Sequence, residues 1–415
     1  MTHRLRRTCV VVAIAAIALG TGACSSGFKG NSTPQKSTGP AKLQVLIASS
    51  GDAETTAVNA AAAQFAASSG NSVTVTPAQN ITQQLGQAFA GSNPPDVFYV
   101  DAGVFANYAS VGALYPYASQ VPDVNDFYQP LRDAFTYKGQ LYCIPKDFST
   151  LALEINTDLW AKAGLTEADV PTTWDQLTAV AQKLKSKGIK PLATADTRDR
   201  LGAFMVQAGG WFVNKAGTQA TADSPQNVQA LTYVQGLLKQ GLAYYPKQLG
   251  AGWAGEAFGK GETAMAMEGN WIEGAMQSDY PNIKYEIRTL PAGPAGQGTL
   301  EFTQCWGIAA KSQYKEQAVK FVEAMTAKDQ QLTFAKAFGV MPSRASAKDG
   351  YVQQFPNDAA FVNSATFAQG PLNEPKVDSV LADFDSQLGG LATGNPTAIL
   401  QRVQTNLTAV LNASG

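Results

Sequence analysis

The chain has 415 residues, with 31 Lys+Arg against 32 Asp+Glu and one histidine. That balance provides no basic face to neutralise phosphates, so nucleic acid is excluded as a partner. The single histidine is His3, and a body without histidine excludes Ser-His-Asp and Cys-His catalysis, histidine bases and histidine-bearing zinc sites, while carboxylate chemistry remains open. No cofactor or metal is expected.

Arg4, Arg6 and Arg7 precede an apolar run from Val10 to Leu19, and Thr21-Gly22-Ala23-Cys24 follows. A basic start, a short apolar core and small residues before a cut site define an export signal, here residues 1–23. The run falls short of the roughly 20 apolar residues that span a bilayer. The small residues before Cys24 resemble the lipobox of bacterial lipoproteins, with Thr21 where that motif usually has Leu, Val or Ile. The resemblance implies acylation of Cys24 and a lipid anchor on the outer face of the cytoplasmic membrane. The other reading is an ordinary secretory cut near Ala23, with Cys24 a free thiol. Loss of the signal removes three arginines and leaves a mildly acidic chain, long enough for two lobes. Cys143 and Cys305 remain, either as a disulfide suited to an exported protein or as two separately buried thiols.

Residues 24–42 lack periodicity and read as a flexible tether. Leu43–Ala48 reads as a strand. A helix follows over Glu54–Ala67, with Ser50 or Asp52 as its cap. Val73–Thr76 is a second strand, Ile81–Ala90 a helix, and Asp96–Asp101 an apolar strand that ends on an acid. Leu141–Asn156 is a long extended stretch with a helix from Thr157. Thr172 or Thr173 caps a helix running to Lys187, and Ser224-Pro225 opens another that Gly241 ends. Apolar strands alternating with helices indicate an α/β fold of mostly parallel sheets covered on both faces. Ligands in such folds sit beyond the carboxyl ends of the strands, where Ser49 to Asp52 and Asp101 are delivered.

Phe258-Gly259-Lys260-Gly261-Glu262-Thr263-Ala264-Met265-Ala266-Met267-Glu268-Gly269-Asn270-Trp271 closely resembles a signature of extracellular solute-binding proteins of the maltose-binding type, which feed sugars to ABC importers. Pro94–Tyr99 is similar to their third strand, and Ile144–Thr150 with Asn156–Leu159 to their first crossing between lobes. Pro171–Trp174 resembles a helix start in the second lobe, Cys305–Ala309 the return crossing, and Phe338–Arg344 the segment before the C-terminal helices. The resemblance covers residues 43–415. It implies a two-lobed periplasmic-binding-protein fold with a hinge, each lobe a mostly parallel sheet covered by helices. Lobe one is then 43–146 plus 308–345, and lobe two 148–304 plus 346–415. Cys143 and Cys305 fall on crossing strands, which favours a bridge between them.

The resemblance implies a monomeric receptor that holds a sugar between its lobes, hands it to permease subunits and performs no chemistry. Sugar recognition needs carboxylates and amides for hydroxyls and aromatic faces for C–H patches. The candidate ligand residues are Asp52, Glu54, Asp101, Asp147, Phe148, Trp211, Trp253, Asn270, Trp271 and Trp306. Phe212 is placed to share the role of Trp211, and Trp160 and Trp174 are read as core. The rival readings are a carboxylate glycoside hydrolase and a receptor for a glycerophosphodiester, a polyamine or ferric iron, the last through Tyr244-Tyr245.

Overall fold

The computed structural model describes residues 40–414 apart from Ser92. The expected signal, Cys24 and all but the end of the tether therefore lie outside the described residues. The body begins slightly before the expected boundary: Ala41 is fully buried, and strand β1 spans Lys42–Ile47.

Helix α1 (Asp52–Ser69), β2 (Ser72–Pro77), α2 (Ile81–Ala90), β3 (Val97–Asp101) and α3 (Ala102–Ser110) follow in the expected order. β1 lies between β2 and β3, parallel to both. Neither Ser50 nor Asp52 caps α1. Its N-cap is Gly51 without a side-chain bond, and Glu54 reaches back instead, its Oε2 accepting from the Ser50 amide at 2.8 Å. Asp101 does cap α3, accepting from the Gly103 amide at 2.8 Å.

The long extended stretch is β4 (Ile144–Asn156), thirteen residues that run from one half of the molecule into the other. Beyond it lie α4 (Thr157–Lys162), α5 (Trp174–Ser186, capped by Thr173), β5 (Leu192–Ala193), α6 (Arg198–Gln207), α7 (Pro225–Lys239) and β6 (Ala243–Tyr244). Then come β7 (Met265–Gly269), α8 (Trp271–Ser278), β8 (Tyr285–Arg288) and the return crossing β9 (Thr299–Ile308). After α9 (Lys315–Met325) and α10 (Lys328–Phe338), β10 (Met341–Pro342) makes a third crossing against Asp147 and Phe148. Helices α11 (Asp378–Leu388) and α12 (Pro396–Ser414) end the fold. No described helix is long and apolar enough to cross a membrane.

The strands join in one sheet ordered β2-β1-β3-β9-β4-β7-β5-β6. Pairing is parallel among the strands of each end and antiparallel where β9 and β4 cross between them. The expectation of a sheet per lobe holds for the two ends, but long crossing strands fuse them into one. Two apolar cores sit under that sheet. One gathers Val45, Phe98, Phe105 and Phe321; the other Leu153, Trp174, Phe204 and Phe384. Trp160 and Trp174 are core residues, as read from sequence. A third cluster of Tyr128, Phe148, Tyr351 and Phe361 packs behind the crossings, so residues 351–365 pack there rather than in the second core.

Cys143 and Cys305 form a disulfide with Cα atoms 5.8 Å apart, inside the range such bridges need. Both lie in the first core, at the end of the crossings, so the bridge ties β9 to the approach of β4 without spanning the two cores.

Candidate functional site

Residues paired across neighbouring strands point to the same face of a sheet. Gln304 pairs with Asp101 on one side and with Asp147 on the other, and Phe302 pairs with Ser149. The crossing therefore presents Asp101, Gln304, Asp147, Phe302 and Ser149 on one face, where the two ends of the sheet meet. A cavity of about 160 Å³ opens at this seam. Its walls include Asp101 from the end of β3, Arg198 and Asp199 from α6, Trp211, Phe302 and Gln369. Asp101 and Trp211, far apart in sequence, are thus brought to one cavity. Phe212, next to Trp211, lines the same cavity while packing into the second core.

Trp271 lies at the first position of α8. It is 38% exposed and is one of two large hydrophobic side chains that stand in solvent among the described residues. Its indole folds back over Gly269: a Cβ on that glycine would sit 2.3 Å from the ring, so the Gly-Asn-Trp order is a steric requirement. The Phe302 ring meets the indole edge-on with centroids 5.1 Å apart. The Arg200 guanidinium lies 5.0 Å from the indole centroid. Glu268 fixes both partners, accepting from Trp271 Nε1 at 2.9 Å and from Arg200 Nη2 at 2.6 Å. Behind it, the Glu268 amide donates to Glu154 Oε2 at 3.1 Å. Burial, then the negative charge of Glu268, pushes the Glu154 carboxyl well above the usual range. Trp271 is therefore an indole held by a defined set of neighbours with the rest of its surface open.

Other candidates do different work. Glu54 and Asp147 both pair with Lys146, the former at 3.1 Å. The Lys146 ammonium lies 4.6 Å from the Tyr99 ring centroid. Burial opposes the charge on Lys146, but the two carboxylates outweigh it and raise its pKa. Burial likewise opposes the charge on Glu54, yet Lys146 and the Ser50 hydrogen bonds lower its pKa. These acids hold a buried lysine, which corrects their reading as free ligand carboxylates. Asp52 is exposed in the first turn of α1, where its charge suits the helix N-terminus. Phe148 is 3% exposed and packs edge-on against Tyr128 behind the crossing. Trp306 is 1% exposed, between Tyr99 and Phe321 in the first core. The gap beside it measures about 10 Å³, roughly one water. Trp253 lies over Gly255 and packs with the Phe258 cluster, away from the seam cavity. Asn270 bridges the two halves, donating to the Gly339 carbonyl at 2.9 Å. Of the iron pair, the Tyr245 hydroxyl donates to the Leu388 carbonyl at 3.0 Å.

Arg200, Glu268, Phe302 and Gln304 escaped the sequence reading. Glu268 lay inside the signature motif, and the alternation along β9 could have flagged Phe302 and Gln304. Nothing local to Arg200 marks it.

Two apolar cores joined by crossing strands make a two-lobed α/β fold, with an aromatic shelf and a polar row where the lobes meet. Residues 60–363 match the family described as bacterial extracellular solute-binding protein, and the chain belongs to that family. Among curated relatives, the diacetylchitobiose binding protein DasA of Streptomyces coelicolor is 24% identical over 304 residues, 70% of each chain. The sn-glycerol-3-phosphate-binding periplasmic protein UgpB of Rhizobium meliloti is 25% identical over 296 residues, 65% of this chain and 68% of that one. In fold, the cyclic alpha-maltosyl-1,6-maltose binding protein of Arthrobacter globiformis superposes with a TM-score of 0.81 at 21% identity, covering 90% of this chain and 100% of that one. The family is extracytoplasmic and serves ABC importers, and its members are described as solute-binding proteins.

Proposed function

We propose that this protein is a lipid-anchored extracytoplasmic receptor that captures a carbohydrate between its lobes and delivers it unaltered to an ABC permease. The observation that carries this reading is the half-exposed Trp271 indole, braced by Phe302 and Arg200 beside a row of Asp101, Gln304 and Ser149. An aromatic face suits the C–H patches of a pyranose, and adjacent amide and carboxylate groups suit its hydroxyls. The sugar specificities in the names of DasA and the Arthrobacter protein support the same class. The lobes are taken as 43–146 with 308–345 and 148–304 with 346–415. A guest that binds the closed arrangement better than the open one draws the lobes together, and the closed form is what the permease engages.

Thermal-shift measurements across mono- and oligosaccharides test the capture step. A ligand at 100 times its dissociation constant stabilises the fold by about 2.7 kcal/mol. No response to any carbohydrate refutes the reading, and release of hydrolysis products on long incubation replaces it with a glycosidase. Acylation at Cys24 is tested by labelling cells with a fatty-acid analogue, with Cys24→Ala as control. Label that persists in the variant excludes that anchor.

A further inference from the structure

The charges around the seam are unequally satisfied. Arg200 gives Nε and Nη2 to one oxygen of Glu268, at 3.2 and 2.6 Å. Arg198 is engaged by Asp385 through its side chain and its amide, the latter at 2.7 Å, and Asp199 lies 3.6 Å from its Nε. Lys146 is shared by Glu54 and Asp147. Each cation that reaches this region is thus matched by at least one carboxylate. The acids on the cavity wall are not matched in the same way. Asp101 has a backbone amide as its hydrogen-bond partner, and burial followed by the negative charge of Asp199 raises its pKa. Glu301, also on the wall, is 3% exposed and neither of its oxygens has a hydrogen-bond partner.

Resting on the carbohydrate reading, we propose that Glu268 is a specificity-determining residue that makes this a site for uncharged saccharides and against phosphorylated ones. It acts in two ways. Its carboxylate neutralises Arg200, the cation nearest the shelf, which would otherwise offer a phosphate a planar fork of donors. The same oxygen accepts from Trp271 Nε1, so the ring is turned with its remaining surface outward. Asp101 and Asp199 on the cavity wall add to the rejection, because an anion entering there meets acidic groups without a free cation; Glu301 adds no such charge, since burial pushes its carboxyl well above the usual range. The residue is 1% exposed. It therefore acts through Arg200 and Trp271 rather than by touching the guest, which makes it a positioning residue.

The test uses the mature full-length receptor and calorimetry with matched pairs: maltose with maltose 1-phosphate, glycerol with glycerol 3-phosphate, and the best uncharged sugar from the thermal-shift panel with inorganic phosphate. Wild type should favour the uncharged member by at least about tenfold. Glu268→Gln frees the guanidinium and should shrink that preference about tenfold, chiefly by tightening the anion. Arg200→Gln removes the guanidinium and should keep the preference at the wild-type level or above. Intrinsic tryptophan fluorescence of Glu268→Gln should shift as the charged acceptor beside the indole becomes a neutral amide. A wild type that binds the phosphate ester as tightly as its uncharged counterpart overturns the proposal. So does a Glu268→Gln protein that weakens both members in parallel, the signature of a merely structural role. Should Glu268→Gln fail to fold, the wild-type ratio and Arg200→Gln decide it. If wild type responds to no sugar, charged or not, the carbohydrate reading itself falls, an outcome distinct from lost selectivity.

Discussion

Replacing Trp271 with alanine tests the shelf directly. The side chain is 38% exposed, and a tryptophan carries roughly 250 Å² of surface, so about 95 Å² is free for a guest to cover. At about 25 cal/mol per Å², complete coverage contributes about 2.4 kcal/mol and half coverage about 1.2 kcal/mol. Trp271→Ala should therefore weaken sugar binding between about sevenfold and fiftyfold. Trp271→Phe keeps a ring but loses the Nε1 bond to Glu268 and should fall between alanine and wild type. Calorimetry with the best sugar measures both, and circular dichroism confirms the fold. The fold itself should survive, because the ring stands at the surface. An alanine variant that binds within twofold of wild type would refute the shelf as a contact surface.

Two further outcomes follow from buried groups. The Cys143–Cys305 bridge closes a loop with a sequence separation of 162, for which chain entropy gives about 5 kcal/mol, against about 2–4 kcal/mol for a typical bridge. Replacing both cysteines with alanine should lower the melting temperature by several degrees yet leave sugar affinity within about twofold, since the bridge lies inside one core; a large affinity loss would contradict that placement. Glu273 is pushed up to about 9 by burial, then by a hydrogen bond to Asp358 and that residue's charge. A folded acid with a raised pKa keeps a proton that the unfolded chain has released, so its stability cost grows from its ordinary value of 4.5 up to about 9. Because the group is only partly enclosed, a discounted cost of about 2 kcal/mol is expected at pH 8. Melting temperature should decline from pH 6 to 9, and Glu273→Gln should flatten that slope; an unchanged slope assigns the pH dependence elsewhere.

How far the sequence carried depends on the kind of information each feature needs. Apolar runs and caps are local, so the strands of the first lobe, the helix at Ile81–Ala90 and the Thr173 and Ser224 caps were legible. Strand ends deliver residues to a shared edge, which was enough to bring Asp101 to the seam. The pairing of charges is not local. Nothing near Lys146 in sequence indicates that it turns inward to Glu54, ninety-two residues earlier, and without that partner both Glu54 and Asp147 read as open carboxylates. Arg200 and Glu268 escaped for the same reason, sixty-eight residues apart and joined only in the fold. Trp306 shows a different limit. It shares the face of Phe302 and Gln304 along β9, but the bulge after Gln304 and the depth of the first core place it beneath Tyr99 rather than at the seam.

The halves also touch outside the seam cavity. Asn107 on α3, in the first half, accepts from the Lys376 amide at 2.9 Å and donates to Asp378 at 3.3 Å, both beside the start of α11 in the second. Lys376 adopts a positive φ of 64°, a conformation that a lysine holds only when its surroundings insist on it. Asn107 meets that need and does not line the seam cavity. In the proposed two-state receptor, Asn107→Ala removes a clasp between the halves without removing a residue that lines the seam cavity. Two hydrogen bonds of this kind contribute about 1 kcal/mol net, since one is long. For a receptor that rests mostly open, that loss raises the apparent dissociation constant about fivefold. Because the loss falls on the closed complex, the off-rate should rise while the on-rate holds. Stopped-flow tryptophan fluorescence separates the two rates, and small-angle scattering with saturating sugar reports whether the lobes still close. A variant with unchanged off-rate and unchanged affinity would show that Asn107 holds only the loop at Lys376, and that closure draws its free energy from the guest alone.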